Sequence, residues 1–338
     1  MADGKGLSIT EHFSVLTDPR VERTRRHLLR DVLVVAICAV IGGADDWVAV
    51  EQYGNSKLAW FKSFLELPYG IPSHDTFGRI FAALDPEEFS QCFAAWLSAV
   101  ALELTGRVVA IDGKTLRRSF DKAASKSAIH MVSAWAVESH VVLAQVKTEE
   151  KSNEITAIPE LLKKLELSGC ILTIDAMGCQ RKIVRDIRKK GADYVICLKG
   201  NQSTMHDEVR QLFDWASTEG FKNLEHNYYE TVEKDHGRIE VRRYWCTPEV
   251  EWFEDRAKWE GLASFGMIES ERTVHGETSV ERRYCVSSLD GTDAKQFAEA
   301  VRGHWGIENG LHWVLDVGIR EDDSRVRVVN AAQNLTLL

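Results

Sequence analysis

Two short β-branched runs that each end on an acid, RVVAID at 107–112 and CILTID at 170–175, constrain this chain more than any other feature. Runs of this length and composition read as strands buried on both faces, the habit of central strands in a helix-covered sheet. A carboxylate closing such a strand is costly unless something compensates it. A turn or helix cap would suffice for either aspartate alone. Both, however, are followed by basic stretches: Lys114, Arg117, Arg118, Lys122 and Lys126 after Asp112, and Arg181, Lys182, Arg185, Arg188, Lys189 and Lys190 after Asp175.

The residues before these runs read as helices. Asp18 and Pro19 predict the start of a helix that stops at Gly42 and Gly43, and Asp45 or Asp46 the start of a second reaching about Leu67. Ser73 predicts a short helix to Leu84, and Asp85 with Pro86 another to Leu104. The short helix behind the turn LPYGIPS admits a helix-turn-helix, although such helices also occur in domains that never touch DNA. From residue 107 the texture changes to strands at 107–112, 128–137 and 141–147, then a helix at 154–167, a strand at 170–175, a basic helix at 180–190 and a strand at 194–198. That order predicts an α/β fold with a ribonuclease H-like mixed sheet, whose neighbouring first and fourth strands bring Asp112 and Asp175 together. Residues 224–289 alternate polar and apolar and are broken at Gly237, Gly261 and Gly276, which predicts an antiparallel subdomain projecting from the sheet. A helix near Thr292, capped by Thr292 or Asp293, then carries a third acid, Glu308 in VRGHWGIENGLHW. The expected domains are 1–105, helical and a candidate DNA-binding unit, and 106–338, the α/β unit with its β-rich insertion at about 221–290.

Charge and composition decide which partners to consider. The longest apolar run, 32–41, is half the roughly 20 residues a spanning helix needs. With no signal pattern at its start, the chain is expected in the cytoplasm, at the nucleoid and away from membranes. Seven cysteines scattered without a C-x-x-C pair argue against a disulfide framework and a structural zinc site. A formal net charge of −9 counts at first sight against nucleic acid. The clumping of the basic residues behind the two aspartates counts for it, the alternative for any one clump being a solvated helix face.

Three carboxylates in such positions point to a hard divalent cation, which takes oxygen ligands and removes their mutual repulsion. A competing pattern is His304, Glu308, His312 and Asp316, at four-residue intervals on one helix face and suited to a transition metal, though without H-E-x-x-H spacing. Trp305 and Trp313 read as core or as base-stacking residues. Lys199 reads as a phosphate contact or as part of a simple turn at Gly200.

The segments AIDGKTLRRS, AIHMVSAW with VLAQVKTEEKSNEI, LTIDAMGCQ, YVICLKGNQ and RGHWGIENGLHWVLDVGIREDDSR lie between residues 110 and 325, within a likeness that runs from about residue 8 to the end. As a set they resemble the DDE transposases of bacterial insertion sequences, in the subgroup of the H-repeat-associated proteins. The resemblance implies Asp112, Asp175 and Glu308 as a catalytic triad holding two Mg²⁺ or Mn²⁺ ions, about 3.5–4 Å apart. It implies DNA cleavage by water, then joining by the freed 3′ hydroxyl, with element inverted repeats and target DNA as partners of a homo-oligomer. Lys114, Arg117, Arg118, Arg181, Lys182, Arg185, Lys199, His304, Trp305 and His312 are the expected DNA contacts. The chain departs from the family in having His304 where an Arg is usual and Leu315 where a Lys is usual, leaving His304 and His312 as substitutes. Two other readings are a nuclease that only hydrolyses and an inert DNA-binding remnant. The second arises because NAAQNLTLL ends inside what reads as a helix.

Overall fold

The structure is a computed structural model that describes residues 9–100, 106–116, 129–148, 153–235, 238–318 and 330–337. The first unit is built from α1 (Ile9–His12), α2 (Leu29–Ile41), α3 (Trp47–Ser56), α4 (Leu58–Phe61), α5 (His74–Ala83) and α6 (Pro86–Val100). Helix α2 is apolar around most of its circumference because the others surround it, burying Val32, Leu33, Val35, Ala36 and Ile37. Its one buried acid, Asp31, accepts a hydrogen bond from Leu67 N at 2.8 Å.

Helix starts differ from expectation where a side chain finds another partner. Asp18 does not cap a helix; it accepts from Arg20 Nε at 2.9 Å and Nη2 at 2.8 Å, and α2 begins only at Leu29. Asp46 does cap, accepting from Ala49 N at 2.7 Å, but the helix it starts breaks after Ser56 and resumes as α4. At α5 the capping acceptor is Glu51 of α3, 2.8 Å from His74 N, and not Ser73. Asp85 accepts from Glu87 N and Glu88 N at 2.8 and 3.0 Å and starts α6 as expected.

The second unit holds β1 (Val108–Leu116), β2 (Ile129–Ala136), β3 (Val141–Lys147), α7 (Glu154–Lys163), β4 (Ile171–Ile174), α8 (Arg181–Lys189), β5 (Asp193–Cys197), α9 (Ser203–Thr218), β6 (Asn227–Asp235), β7 (Arg238–Thr247), β8 (Ser264–Val274), β9 (Glu277–Ser287) and α10 (Ala294–Ile307). All nine strands form one sheet in the order β3-β2-β1-β4-β5-β9-β8-β7-β6. Strands β1, β4 and β5 are parallel and the other pairings antiparallel, so the first five strands take the expected ribonuclease H-like order. Helices α7, α8 and α9 cover one face through Ile158, Leu161, Ile183, Ile187, Val209 and Phe213. Helix α10 covers the other through Phe297, Ala298 and Val301, over Val108, Ile171, Val195 and Ile268. Helix α9 is absent from the sequence-based expectation. Its buried residues Met205, Val209, Phe213 and Ala216 recur at intervals of four, four and three, so the helical period was present in the sequence.

The β-rich insertion extends the sheet, contrary to the expectation that it would project from it. Strand β9 pairs with β5 through Val195↔Ser287, Ile196↔Val286 and Cys197↔Cys285, and Leu198 N donates to Tyr284 O at 2.7 Å. The physical reason is that the outer edge of β5 carries backbone groups that need partners in a buried setting. Only the last three residues of β9 pair with β5; its earlier part and the neighbouring hairpins overhang the C-terminal ends of β4 and β5. No described helix is long and apolar enough to cross a membrane.

Helix α11 (Ala331–Leu337), at the end of the stretch 106–338 expected as the second unit, packs against α5 and α6 of the first. Its fully buried Asn334 donates from Nδ2 to Phe81 O at 2.8 Å and Leu84 O at 3.0 Å, satisfying carbonyls at the end of α5. Asn334→Ala would remove the side-chain partner of Phe81 O, while Leu84 O keeps Asn330 Nδ2 at 3.2 Å, and is expected to lower unfolding free energy by about 1–3 kcal/mol in urea denaturation. A loss too small to measure would show that α11 does not hold α5.

Candidate functional site

The pleat of the sheet sets which face the acids share. On β1, Val108 and Ala110 pack on the α10 side, and Val109 and Ile111 on the opposite side, so Asp112 falls on the α10 side. On β4, Ile171 lies on that same side and Thr173 and Asp175 follow it by the same alternation. The β1–β4 pairing ends at Ile111↔Ile174, so the next residue on each strand is one of the two aspartates. Adjacent parallel strands lie about 4.8 Å apart, which makes the acids neighbours. Asp112 is not at a strand end, because β1 continues to Leu116 on β2, with Asp112 opposite Ser133.

Helix α10 crosses this face close to β1. At Gly303 an added Cβ would lie 2.8 Å from Val108 Cγ1, so glycine permits the approach. The helix then changes to π geometry over Glu308–His312 and again over Val314–Gly318. Such widened turns re-aim side chains relative to a regular helix. Asp112, Asp175 and Glu308 line one cleft of about 710 Å³, together with Lys199, Arg283, His304 and Trp305.

Burial pushes the carboxyl of Asp112 up to about 7, and Glu154, Glu308 and Asp175 add repulsion in the same direction against the opposing Gly113 amide. Asp175 is both a cap and a cleft residue: its Oδ1 accepts from Met177 N at 2.8 Å and Gly178 N at 3.3 Å, fixing the carboxylate. His312 Nδ1 lies 3.6 Å from Asp112 Oδ2, and burial with nearby Lys114 pushes the imidazole down to about 4. Burial also lowers His304. Both histidines are therefore neutral at pH 7.

Glu154 and His130 belong to this neighbourhood but were not singled out from sequence. His130 Nε2 lies 3.0 Å from Glu154 Oε1, and its Nδ1 lies 2.8 Å from Thr115 Oγ1. A Cβ at Gly113 would meet Glu154 Oε1 at 2.2 Å, which explains a glycine directly after Asp112. That glycine was the available signal.

The expected DNA contacts divide by location. Lys199, His304 and Trp305 line the cleft. Lys114 is nearly buried, with Nζ 2.6 Å from Asp316 Oδ1, so it ties β1 to the segment beyond Glu308. Arg117 and Arg118 lie outside the described residues. Arg181 donates to Asp255 Oδ2 at 2.7 Å and lies 5.9 Å over the Trp259 ring. Arg181 and Lys182 border a separate pocket of about 340 Å³ with Ile155, Gln180 and Gln202, and Arg185 is exposed on the same helix. Helix α8 covers the sheet face opposite α10, so this basic clump is not part of the carboxylate cleft.

Arginines from the insertion and α10 take that place: Arg238, Arg242, Arg272, Arg283 and Arg302. Strand alternation puts Arg242 and Arg283 on the cleft side and their neighbours Arg243 and Arg282 on the other. There Arg243 meets Glu269 at 3.1 Å and Glu271 at 2.9 Å, and Arg282 meets Glu269 at 2.8 Å and Asp214 at 3.2 Å.

The donor chemistry of the three acids fits a hard divalent cation, and a cation among them would offset the burial and the added repulsion that raise Asp112. Among the described residues no three His, Cys, Asp or Glu side chains are gathered closely enough to hold one ion in common. The acids thus share a cleft without yet sharing a coordination shell, with Glu308 the exposed member. The alternative set His304, Glu308, His312 and Asp316 is divided among other partners, Asp316 with Lys114 and His312 with Asp112.

Comparison with known proteins gives a consistent result. The family described as "Transposase DDE domain" matches residues 103–338, and the one described as "DDE_Tnp_1-associated" matches 10–97. "Putative transposase YncI" of Escherichia coli O157:H7 is 44% identical over 332 residues, covering 96% of this chain and 84% of that protein. "H repeat-associated putative transposase YhhI" of Escherichia coli (strain K12) is 41% identical over 330 residues, covering 96% and 86%. Among solved structures, a chain of the piggyBac transposase synaptic complex with hairpin DNA aligns with TM-score 0.40 and 11% identity, over 92% of this chain and 65% of that one.

Proposed function

The chain belongs to the DDE transposase family, and from that premise we propose that its carboxylate cleft performs metal-dependent DNA cleavage and strand transfer at the ends of an insertion sequence. The observation that carries this reading is that Asp112, Asp175 and Glu308, far apart in sequence, line one cleft with basic side chains along its walls.

Asp112, Asp175 and Glu308 would hold two Mg²⁺ or Mn²⁺ ions, which when bound supply activation of the attacking oxygen and stabilisation of the leaving oxygen. The remaining residues prepare the site. The backbone amides of Met177 and Gly178 hold Asp175 in place. His312, being neutral, leaves the charge of Asp112 available for a cation instead of neutralising it as an imidazolium would. Lys114 fixes the segment that follows Glu308 by its contact with Asp316. Lys199 receives a backbone phosphate of DNA, which draws on such cations for affinity. The partners under this reading are the element's terminal inverted repeats and target DNA, bound by a homo-oligomer.

The test is to incubate the protein with labelled duplexes carrying the inverted repeats that flank its gene, with a target plasmid, with and without Mg²⁺. Nicked and joined products that appear only with the metal are expected. Nicking without joining would leave a nuclease of the same family, and no metal-dependent product at all would defeat the reading.

A further inference from the structure

Three cations on the cleft wall are already committed. Arg242 pairs with Glu233 at 2.8 Å and Glu240 at 2.5 Å, and Arg302 with Glu233 at 3.1 Å. Arg238 lies 4.0 Å from Glu240. Lys199, Arg272 and Arg283 have no ion-pair partner among the described residues, and of these three only Arg283 has a buried nitrogen, its Nε, without a hydrogen-bond partner. Its guanidinium instead lies 5.5 Å from the ring of Trp305, one helical turn before Glu308.

An unpaired guanidinium in a partly buried position is costly, and an anion is what would compensate it. The surroundings indicate where that anion would lie. Arg283, Lys199 and Asp175 line the same cleft as His304, and all three are near enough to act on its charge, so both cations share a wall with this acid. His304, neutral through burial, adds no charge to that wall. A guanidinium within cation–π reach of an indole is drawn to one side of the cleft with its fork of N–H donors free, and that fork suits two oxygens of one phosphate.

We propose that Arg283, over the Trp305 ring and in the same cleft as Lys199, grips a backbone phosphate of the DNA held over Asp175. The insertion is then a wall of the DNA site as well as an extension of the sheet. This rests on the reading of the cleft as a DNA site. It assigns a binding residue on β9, outside the basic clumps that the sequence advertises.

The test uses the full chain without metal and a fluorescein-labelled duplex of the flanking inverted repeat, with affinity read by anisotropy across a series of salt concentrations. Arg283→Gln is expected to weaken binding and to reduce the slope of log K against log[salt] by about 0.9, the share of one phosphate contact. Arg282→Gln, next to it but on the opposite face and paired with Glu269, is expected to leave the slope unchanged. Arg283→Lys should keep the slope and bind several-fold more weakly, because a point charge lacks the fork. If Arg283→Gln does not fold, Arg283→Met, which keeps the stem against Trp305, is read in its place. Binding by the unaltered protein with the same slope in Arg283→Gln would overturn this assignment alone. An unaltered protein with no salt-dependent binding would overturn the DNA reading of the cleft with it.

Discussion

Asp175→Asn is expected to lower metal-dependent cleavage and joining by at least about 10³-fold, equivalent to some 4 kcal/mol of barrier, while binding to the element end persists or strengthens. Asparagine keeps the size of the side chain and an oxygen to accept from Met177 N, so the cap at β4 survives. What disappears is one negative ligand of a hard cation, together with its repulsion of DNA phosphates. Arg185→Glu, on exposed α8, tests binding on the opposite face of the sheet. It is expected to weaken DNA binding in a salt-sensitive manner without touching the chemistry of bound DNA. Cleavage and joining rates are read on saturating DNA, so that chemistry and binding separate. Near-normal strand transfer by Asp175→Asn would remove Asp175 from the mechanism.

The second large effect is on stability. Asp112 is raised from 3.8 to about 7 in the folded protein, so the native state keeps a proton that the unfolded chain has released across that window. Its contribution to stability therefore falls as pH rises from about 4 to about 7 and is level above that. Asp112→Asn removes this cost and is expected to stabilise the metal-free protein at pH 8, by a few kcal/mol and at most about 4. His312 works in the opposite sense. Lowered from 6.5 to about 4, it costs stability as pH falls through that interval. The two gradients oppose each other in the unaltered protein, and the Asn variant should show the acid-side loss alone. Denaturant unfolding at several pH values measures both. Destabilisation of Asp112→Asn at pH 8 would show that Asp112 is not held in a repulsive cluster. Mg²⁺ should stabilise the unaltered protein and have much less effect on the variant.

The core sheet was legible because its signals are local. RVVAID and CILTID have the composition of buried strands, and Asp293, as one of the two expected caps, accepts from Lys295 N and Gln296 N at the start of α10. Alternation also placed strands correctly between 224 and 289, but the pattern within a strand says nothing about which edge its sheet joins. The partner of β5 was therefore missed. Helix α9 was missed although its buried residues keep the helical period, and the start of α2 was misplaced because Asp18 prefers an arginine two residues away. At the site, the three acids could be found from their settings. The cations could not, because runs of like charge marked α8, whereas the cleft is walled by single arginines alternating along β7, β8 and β9. Which of two adjacent arginines faces the acids depends on strand register, and neither composition nor charge clumping encodes it.

The most direct test of the central claim, that Asp112, Asp175 and Glu308 form one metal-binding catalytic unit, is anomalous diffraction from the protein bound to its element end in Mn²⁺. Manganese peaks coordinated by oxygens of all three carboxylates are expected, with Glu308 drawn in to complete the shell. Manganese bound instead along His304, His312 and Asp316, or bound without Asp175, would contradict the account.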